Sequence, residues 1–277
     1  MFTPTGSPLS EIPVPQIVDA VHANGSFIFL QLWAHGRAAD VELLKAEGPD
    51  FDLVGPSAIP ISPSDPSPRP LTTNEIKTYV QWHADAANKA VNRAGFDGVE
   101  LHFANGYLPD QFLQDVSNKR TDEYGGSIEN RARFPLEIIE AVSKVIGEDR
   151  VGFRVSPWNT WQGMRMKDPQ PTFAYFVSQV KERFPDLAYL HAVEPRVAGI
   201  DDRDASDGDS NEFLRKIWGE GVFIAAGGYT PKTAAETVEA KGGLIAFGRH
   251  YISNVGLLPS LSFRVLDLGP DFPLLPA

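Results

Sequence analysis

The 277-residue sequence contains no cysteine. That absence excludes disulfides, thiolate catalysis and zinc–thiolate sites together. Basic residues are also scarce: 25 Lys and Arg stand against 36 Asp and Glu, for a net charge of −11. Nucleic acid and anionic membranes are thereby disfavoured as general partners, although one or two arginines are enough to hold a phosphate. No uninterrupted apolar run approaches the ~20 residues of a membrane helix. The opening MFTPTGSPLSEIPVPQ lacks a positive stretch followed by an apolar core, so no secretory signal is expected and cytoplasmic localisation is the default. No metal site is expected either. A hydrophobic fraction of 42% and a charged fraction of 22% are those of an ordinary globular protein.

What is present is a rhythm of amphipathic and continuously apolar segments. Residues 14–24 predict a helix closed by Gly25, and FIFLQLW (27–33) predicts a buried strand. Ser57 to Pro70, rich in proline and serine, predicts an extended loop. Thr72 and Glu75 have capping-box spacing and open a helix reaching about Arg93. Further strands are predicted at 97–101, 151–155, 188–193, 222–226 and 244–247, followed by helices at 131–146, 171–184, 210–218, 231–241 and 256–263. Apolar strands alternating with amphipathic helices mean a parallel sheet covered on both faces. Six strands leave a doubly wound sheet and part of a (β/α)8 barrel both open. Either architecture puts its chemistry at strand C-terminal ends, where Gln31, His102, Arg154, Glu194, Gly227 and Arg249 lie. No linker divides the chain, so residues 1–277 are expected to be a single domain, with the acidic Val197–Ser210 segment a mobile loop.

The densest chemistry lies between Phe96 and Arg131, FDGVELHFANGYLPDQFLQDVSNKRTDEYGGSIENR. An apolar strand there delivers His102, Asn105 and Tyr107 into one long polar loop. A neutral imidazole and a carboxamide each donate a hydrogen bond, worth roughly 3–4 kcal/mol per donor to a carbonyl becoming an enolate. A neighbouring phenol supplies a proton, worth about 10²–10⁴ in rate. The plainer alternative is a histidine capping a strand end and a tyrosine bracing the loop. Downstream, Ala225-Ala226-Gly227-Gly228 ends one apolar strand and Gly242 to Arg249 crosses the next. Glycines at strand tips let backbone N–H groups approach an anion, and Arg249 adds a positive charge. Arg154 stands alone in VGFRVSP, where a buried charge is costly; an ion pair with Glu100 or Glu194 is the structural alternative to a ligand.

The Phe96–Arg131 run, with its SNKRTDEYGGS loop, closely resembles the old yellow enzyme family of FMN-dependent ene-reductases. The resemblance extends over nearly all of the chain. It implies a TIM-barrel-type (β/α)8 fold, here incomplete with about six βα units, forming one FMN-binding domain over residues 1–277. It also implies reduction of the C=C bond of an α,β-unsaturated carbonyl, a small enone or enal, through FMN with NADPH or NADH as reductant. His102 and Asn105 match the residues that bind the substrate carbonyl, and Tyr107 matches the one that protonates the α-carbon. Gln31 and Arg154 match residues at the flavin ring. Gly227, Gly228, Gly248 and Arg249 match those at the FMN phosphate, although many relatives have Asn where Gly228 stands. Trp33 and His35 are expected to shape the pocket wall, and the 117–127 loop to be mainly structural. The family's first two strands and its helical tail find no counterpart. That implies two open sheet edges: either the six-strand remnant closes or forms a homodimer to cover them, or the protein is poorly stable and binds FMN weakly. Two rival readings remain: a catalytically impaired truncated paralogue with a binding or regulatory role, and a flavin-dependent isomerase.

Overall fold

The strands expected from continuous apolar runs form one six-stranded sheet in the computed structural model, which describes residues 14–199, 201–206 and 208–253. The first elements are α1 (Val14–Ala23), β1 (Phe29–Leu32), α2 (Val41–Glu47) and the short paired strands β2 (Val54–Gly55) and β3 (Arg69–Pro70). Next come α3 (Thr73–Asn92), β4 (Gly98–Phe103), α4 (Leu108–Leu113), α5 (Ile128–Ile146), β5 (Val151–Val155), α6 (Gln170–Arg183) and β6 (Tyr189–Val193). A two-residue antiparallel ladder, β7 (Val197–Ala198) with β8 (Asp201–Asp202), precedes α7 (Glu212–Trp218), β9 (Phe223–Ala226) and α8 (Pro231–Lys241). The described elements end with β10 (Leu244–Ala246) and α9 (Arg249–Ser253). The chain divides into two compact units, Met1–Ile245 and Ala246–Ala277.

Strand order decides between the two architectures left open by the sequence. The strands lie side by side as β1-β4-β5-β6-β9-β10, and the pairings from β1 to β9 are all parallel. A doubly wound sheet reverses direction at a switch point. Here the order follows the chain without reversal, as in a (β/α)8 barrel of which six units are present.

Register gives the sheet two unlike faces. Leu101, Phe153, Leu190 and Phe223 are direct neighbours across four strands and are buried. They meet the helix layer, where Phe153 packs against Phe176 of α6 and Trp218 of α7 at ring-centroid distances of 5.8 and 5.5 Å. Each fully buried side chain of this kind contributes about 1.5–3 kcal/mol. The alternate residues, Glu100 and His102, Arg154, and His191, project from the opposite face. Helix starts follow the expected chemistry: the Thr72 hydroxyl accepts from the Glu75 amide while the Glu75 carboxylate accepts from the Thr72 amide at 2.7 Å.

Three features depart from the sequence reading. The segment after Tyr107 is a helix, α4, and all six of its residues are buried; α2 was likewise unread. Val197–Ser210 is tied down at several points: β7 pairs with β8, and Asp209 receives both terminal nitrogens of Arg165 at 2.7 and 2.8 Å. The helix expected at 256–263 lies outside the described residues.

Candidate active site

Three side chains stand in a row across the sheet, because His102 of β4 is in register with Arg154 of β5, which is in register with His191 of β6. Each carries a buried nitrogen with no hydrogen-bond partner: His102 Nδ1, Arg154 Nε and His191 Nε2. Orphaned buried polar atoms are costly, and three in one row on one face are what a polar ligand could satisfy. Burial pushes the His102 imidazole down to about 3, with the Arg154 charge acting in the same direction. At neutral pH it is therefore an uncharged hydrogen-bonding ring.

Below this row sits Glu100, in register with Gln31 of β1. Its carboxylate accepts from Gln31 Nε2 at 2.6 Å and from His191 Nδ1 at 2.8 Å. Burial opposes the charge on Glu100, yet these bonds and nearby Arg154 hold its carboxyl well below the usual range. Arg154 makes no ion pair with Glu100 or Glu194; Glu100 pairs with His191, and Glu194 accepts from the Tyr229 hydroxyl at 3.1 Å.

Asn105 and Tyr107 extend the site past the end of β4. Asn105 has φ +58°, a left-handed conformation that a non-glycine residue adopts at a cost of roughly 1 kcal/mol or more. Its amide donates to Ser156 Oγ at 2.7 Å and its side-chain oxygen accepts from Asn159 at 3.1 Å. That second bond leaves the Asn105 side-chain NH2 as the group free to donate elsewhere. The Tyr107 ring lies 5.2 Å from His102, 4.6 Å from Trp33 and 6.3 Å from Trp161. Trp33 in turn stacks on His35 at 4.3 Å. Burial raises the Tyr107 phenol, so it carries its proton at neutral pH.

A second polar assembly, on α4, holds this loop from beneath. Asp110 accepts from the Gly106 amide at 2.8 Å and from Gln114 at 2.9 Å. Gln111 donates to the carbonyls of His35 and Gly106 and accepts from the Arg37 amide. Gln114 accepts from the Arg165 amide at 2.9 Å. Arg37 reaches the carbonyls of Ile59 and Gln162, joining the proline-rich loop to the segment bearing Trp161. The 117–127 loop is structural in the same sense: Asn118 bonds the Phe112 and Tyr124 carbonyls, and Arg120 those of Pro56 and Leu71.

At the tip of β9, Gly227 and Gly228 have φ +119° and +61°. A Cβ on Gly227 would fall 2.8 Å from Val197, so only glycine fits this close turn. Arg196 Nε donates to the Gly227 carbonyl at 2.8 Å and braces the turn. Gly248 and Arg249 lie in the second unit, with Arg249 at the first position of α9. Among the described residues there is no cluster of His, Cys, Asp or Glu able to hold a metal, and no helix is long and apolar enough to cross a membrane. Gln31, His102, Asn105, Tyr107 and Arg154 thus gather at adjoining strand ends. Sequence reasoning missed His191, Asp110, Gln111 and Gln114. A lone histidine inside the apolar YLHAV was the one available signal for the first.

Comparison with known proteins adds independent findings. The model of the NADH:flavin oxidoreductase / NADH oxidase family matches residues 13–265. A chanoclavine-I aldehyde reductase of Penicillium roqueforti is 48% identical over 262 residues, covering 93% of this chain and 69% of that protein. A protein of Epichloe festucae var. lolii named as a probable inactive reductase is 48% identical over 260 residues, covering 90% and 66%. The crystal structure of an old yellow enzyme from a Pichia species superposes with a TM-score of 0.78 at 37% identity, covering 88% of this chain and 64% of that one. The chain thus spans about two thirds of the length of the relatives it matches.

Proposed function

The chain belongs to the NADH:flavin oxidoreductase / NADH oxidase family, and from that premise we propose that it binds FMN and reduces the C=C bond of α,β-unsaturated carbonyl compounds with NADPH or NADH. The observation that carries this reading is the row of orphaned nitrogens on His102, Arg154 and His191, flanked by Asn105 and Tyr107. The donor set fits the isoalloxazine ring: Gln31 offers an amide, and Arg154 offers to the electron-rich edge a positive charge with no ion-pair partner among the described residues. Gly227 and Gly228 fit the phosphate through their backbone amides.

Bound FMN, held by Gln31, Arg154 and the Gly227–Gly228 turn, would supply hydride chemistry with the nicotinamide as the source of electrons. Uncharged His102 and the free Asn105 amide donate to the carbonyl oxygen, stabilising the negative charge that develops there. The Tyr107 hydroxyl gives its proton to the α-carbon, which balances the addition of hydride at the β-carbon. Trp33, His35 and Trp161 surround Tyr107 and form an aromatic wall suited to a flat apolar substrate. Relatives named as aldehyde reductases support an aldehyde, here an enal, as the substrate. A second reading, a protein that binds without reducing, is favoured by equally similar relatives named as probably inactive.

Visible spectroscopy after loading with FMN and desalting tests both. A retained flavin band that NADPH bleaches and an enal restores supports the reductase. Retained flavin that is never reoxidised by any enal or enone supports the binding protein, and no retained flavin overturns both.

A further inference from the structure

The lower tier of the sheet face contains a buried carboxylate to which neither the substrate chemistry nor the flavin contacts assign a task. Glu100 is 8% exposed. One of its oxygens holds the Gln31 amide across the β1–β4 register, and the other holds His191, 91 residues away in sequence. Because a carboxylate only accepts, the His191 bond puts an imidazole proton on Nδ1 and leaves Nε2 without a partner on the same side as the Arg154 row. The Gln31 bond likewise commits one side-chain N–H and so fixes which way the amide points. Glu100 is also the negative charge nearest in kind to Arg154, whose guanidinium it stabilises through space without an ion pair.

We propose that Glu100 is a positioning residue of the flavin site: it orients the Gln31 amide and the His191 imidazole toward the ligand, and its charge offsets Arg154. The proposal rests on the flavin-binding reading above. It assigns His191 a place on the ligand-facing surface, with its unpartnered Nε2 available to a polar group of the bound ring. It also makes Glu100 a control on redox poise. A fixed negative charge beside Arg154 weakens the preference of the site for the more negative, reduced form of the ring.

The test uses the full chain, FMN as the probe, and two readouts apart from turnover: the FMN dissociation constant and the midpoint potential of the bound flavin. Glu100→Gln keeps the shape and removes the charge. It is expected to raise the potential by about 30 mV or more, the equivalent of a tenfold gain in affinity for reduced over oxidised FMN, and to weaken oxidised FMN binding several-fold. Gln31→Met removes the tethered amide and keeps the charge; it is expected to weaken binding while the potential stays at the wild-type value. Glu100→Asp guards against loss of folding in the first variant, and is expected to hold the potential while loosening Gln31. FMN binding with an unmoved potential in Glu100→Gln overturns this proposal alone, as does a full potential shift in Gln31→Met. Failure of the wild-type chain to bind FMN overturns the functional reading and this proposal with it.

Discussion

Two buried polar regions of this protein both touch the Asn105–Tyr107 loop, and they are built on opposite rules. On α4 and the turn after it, Asp110, Gln111, Gln114, Ser117 and Asn118 are buried and each side chain is hydrogen-bonded. On the sheet face, His102, Arg154 and His191 each keep a nitrogen without a partner. A fully satisfied network rigidifies what it touches, whereas an unsatisfied one stores a cost that a ligand can relieve. On the reading proposed above, the first region positions the site and the second is the site.

The contrast can be broken most severely from the satisfied side. Gln111→Leu strands the Arg37 amide and the carbonyls of His35 and Gly106. The expected loss is about 3–5 kcal/mol, read from a urea melt. Next in size is Tyr107→Phe, which removes the proposed proton donor and is expected to leave the fold alone. Turnover of an enal should fall by about 10²-fold or more with FMN content unchanged, as measured by steady-state kinetics on flavin-normalised protein.

Arg154→Met sharpens the contrast directly. Because Arg154 has no ion-pair partner among the described residues, the change should leave the ligand-free melt near the wild-type value, while FMN affinity drops by about 10–100-fold in a fluorescence titration. The matching test on α4 uses pH. Burial raises the Asp110 carboxyl to about 7, against the resistance of its bonds to Gln114 and Gly106. Unfolded aspartate titrates near 4, so between roughly pH 4 and 7 the folded state holds a proton that the unfolded state has lost. The stability contribution of Asp110 therefore declines as pH rises through that window and is flat above it. Relative to Asp110→Asn, wild-type stability should fall by on the order of 1–3 kcal/mol from pH 4 to 7. The smallest effect belongs to Trp161, which is 41% exposed. Trp161→Ala should change stability by only about 0.5 kcal/mol and show itself as a raised KM for bulky enals.

What could be read from the sequence differs between the same two regions. The strands were legible because a sheet covered on both faces needs continuous apolar runs, and β5 and β9 sit where those runs fall. His102, Asn105, Tyr107 and Arg154 stood out as polar residues at strand ends and through the family resemblance. The α4 region was not legible. LPDQFL shows no apolar stripe, since its polar side chains are buried against partners such as the His35 carbonyl, 76 residues away. The His191–Glu100 pair was hidden for a related reason: it depends on the register of strands that are adjacent only in space. Nor could alternation alone distinguish a reversing sheet from a progressive one, which took the strand order itself.

That progressive order also has a consequence in time. Each strand from β4 to β9 pairs with the sheet strand made just before it, so no pairing waits for a later segment to be threaded between two earlier ones. A nascent chain emerging at about 5–20 residues per second can add each βα unit to a finished edge as it leaves the ribosome. The row His102, Arg154, His191 would then assemble from left to right, completed only when β6 docks.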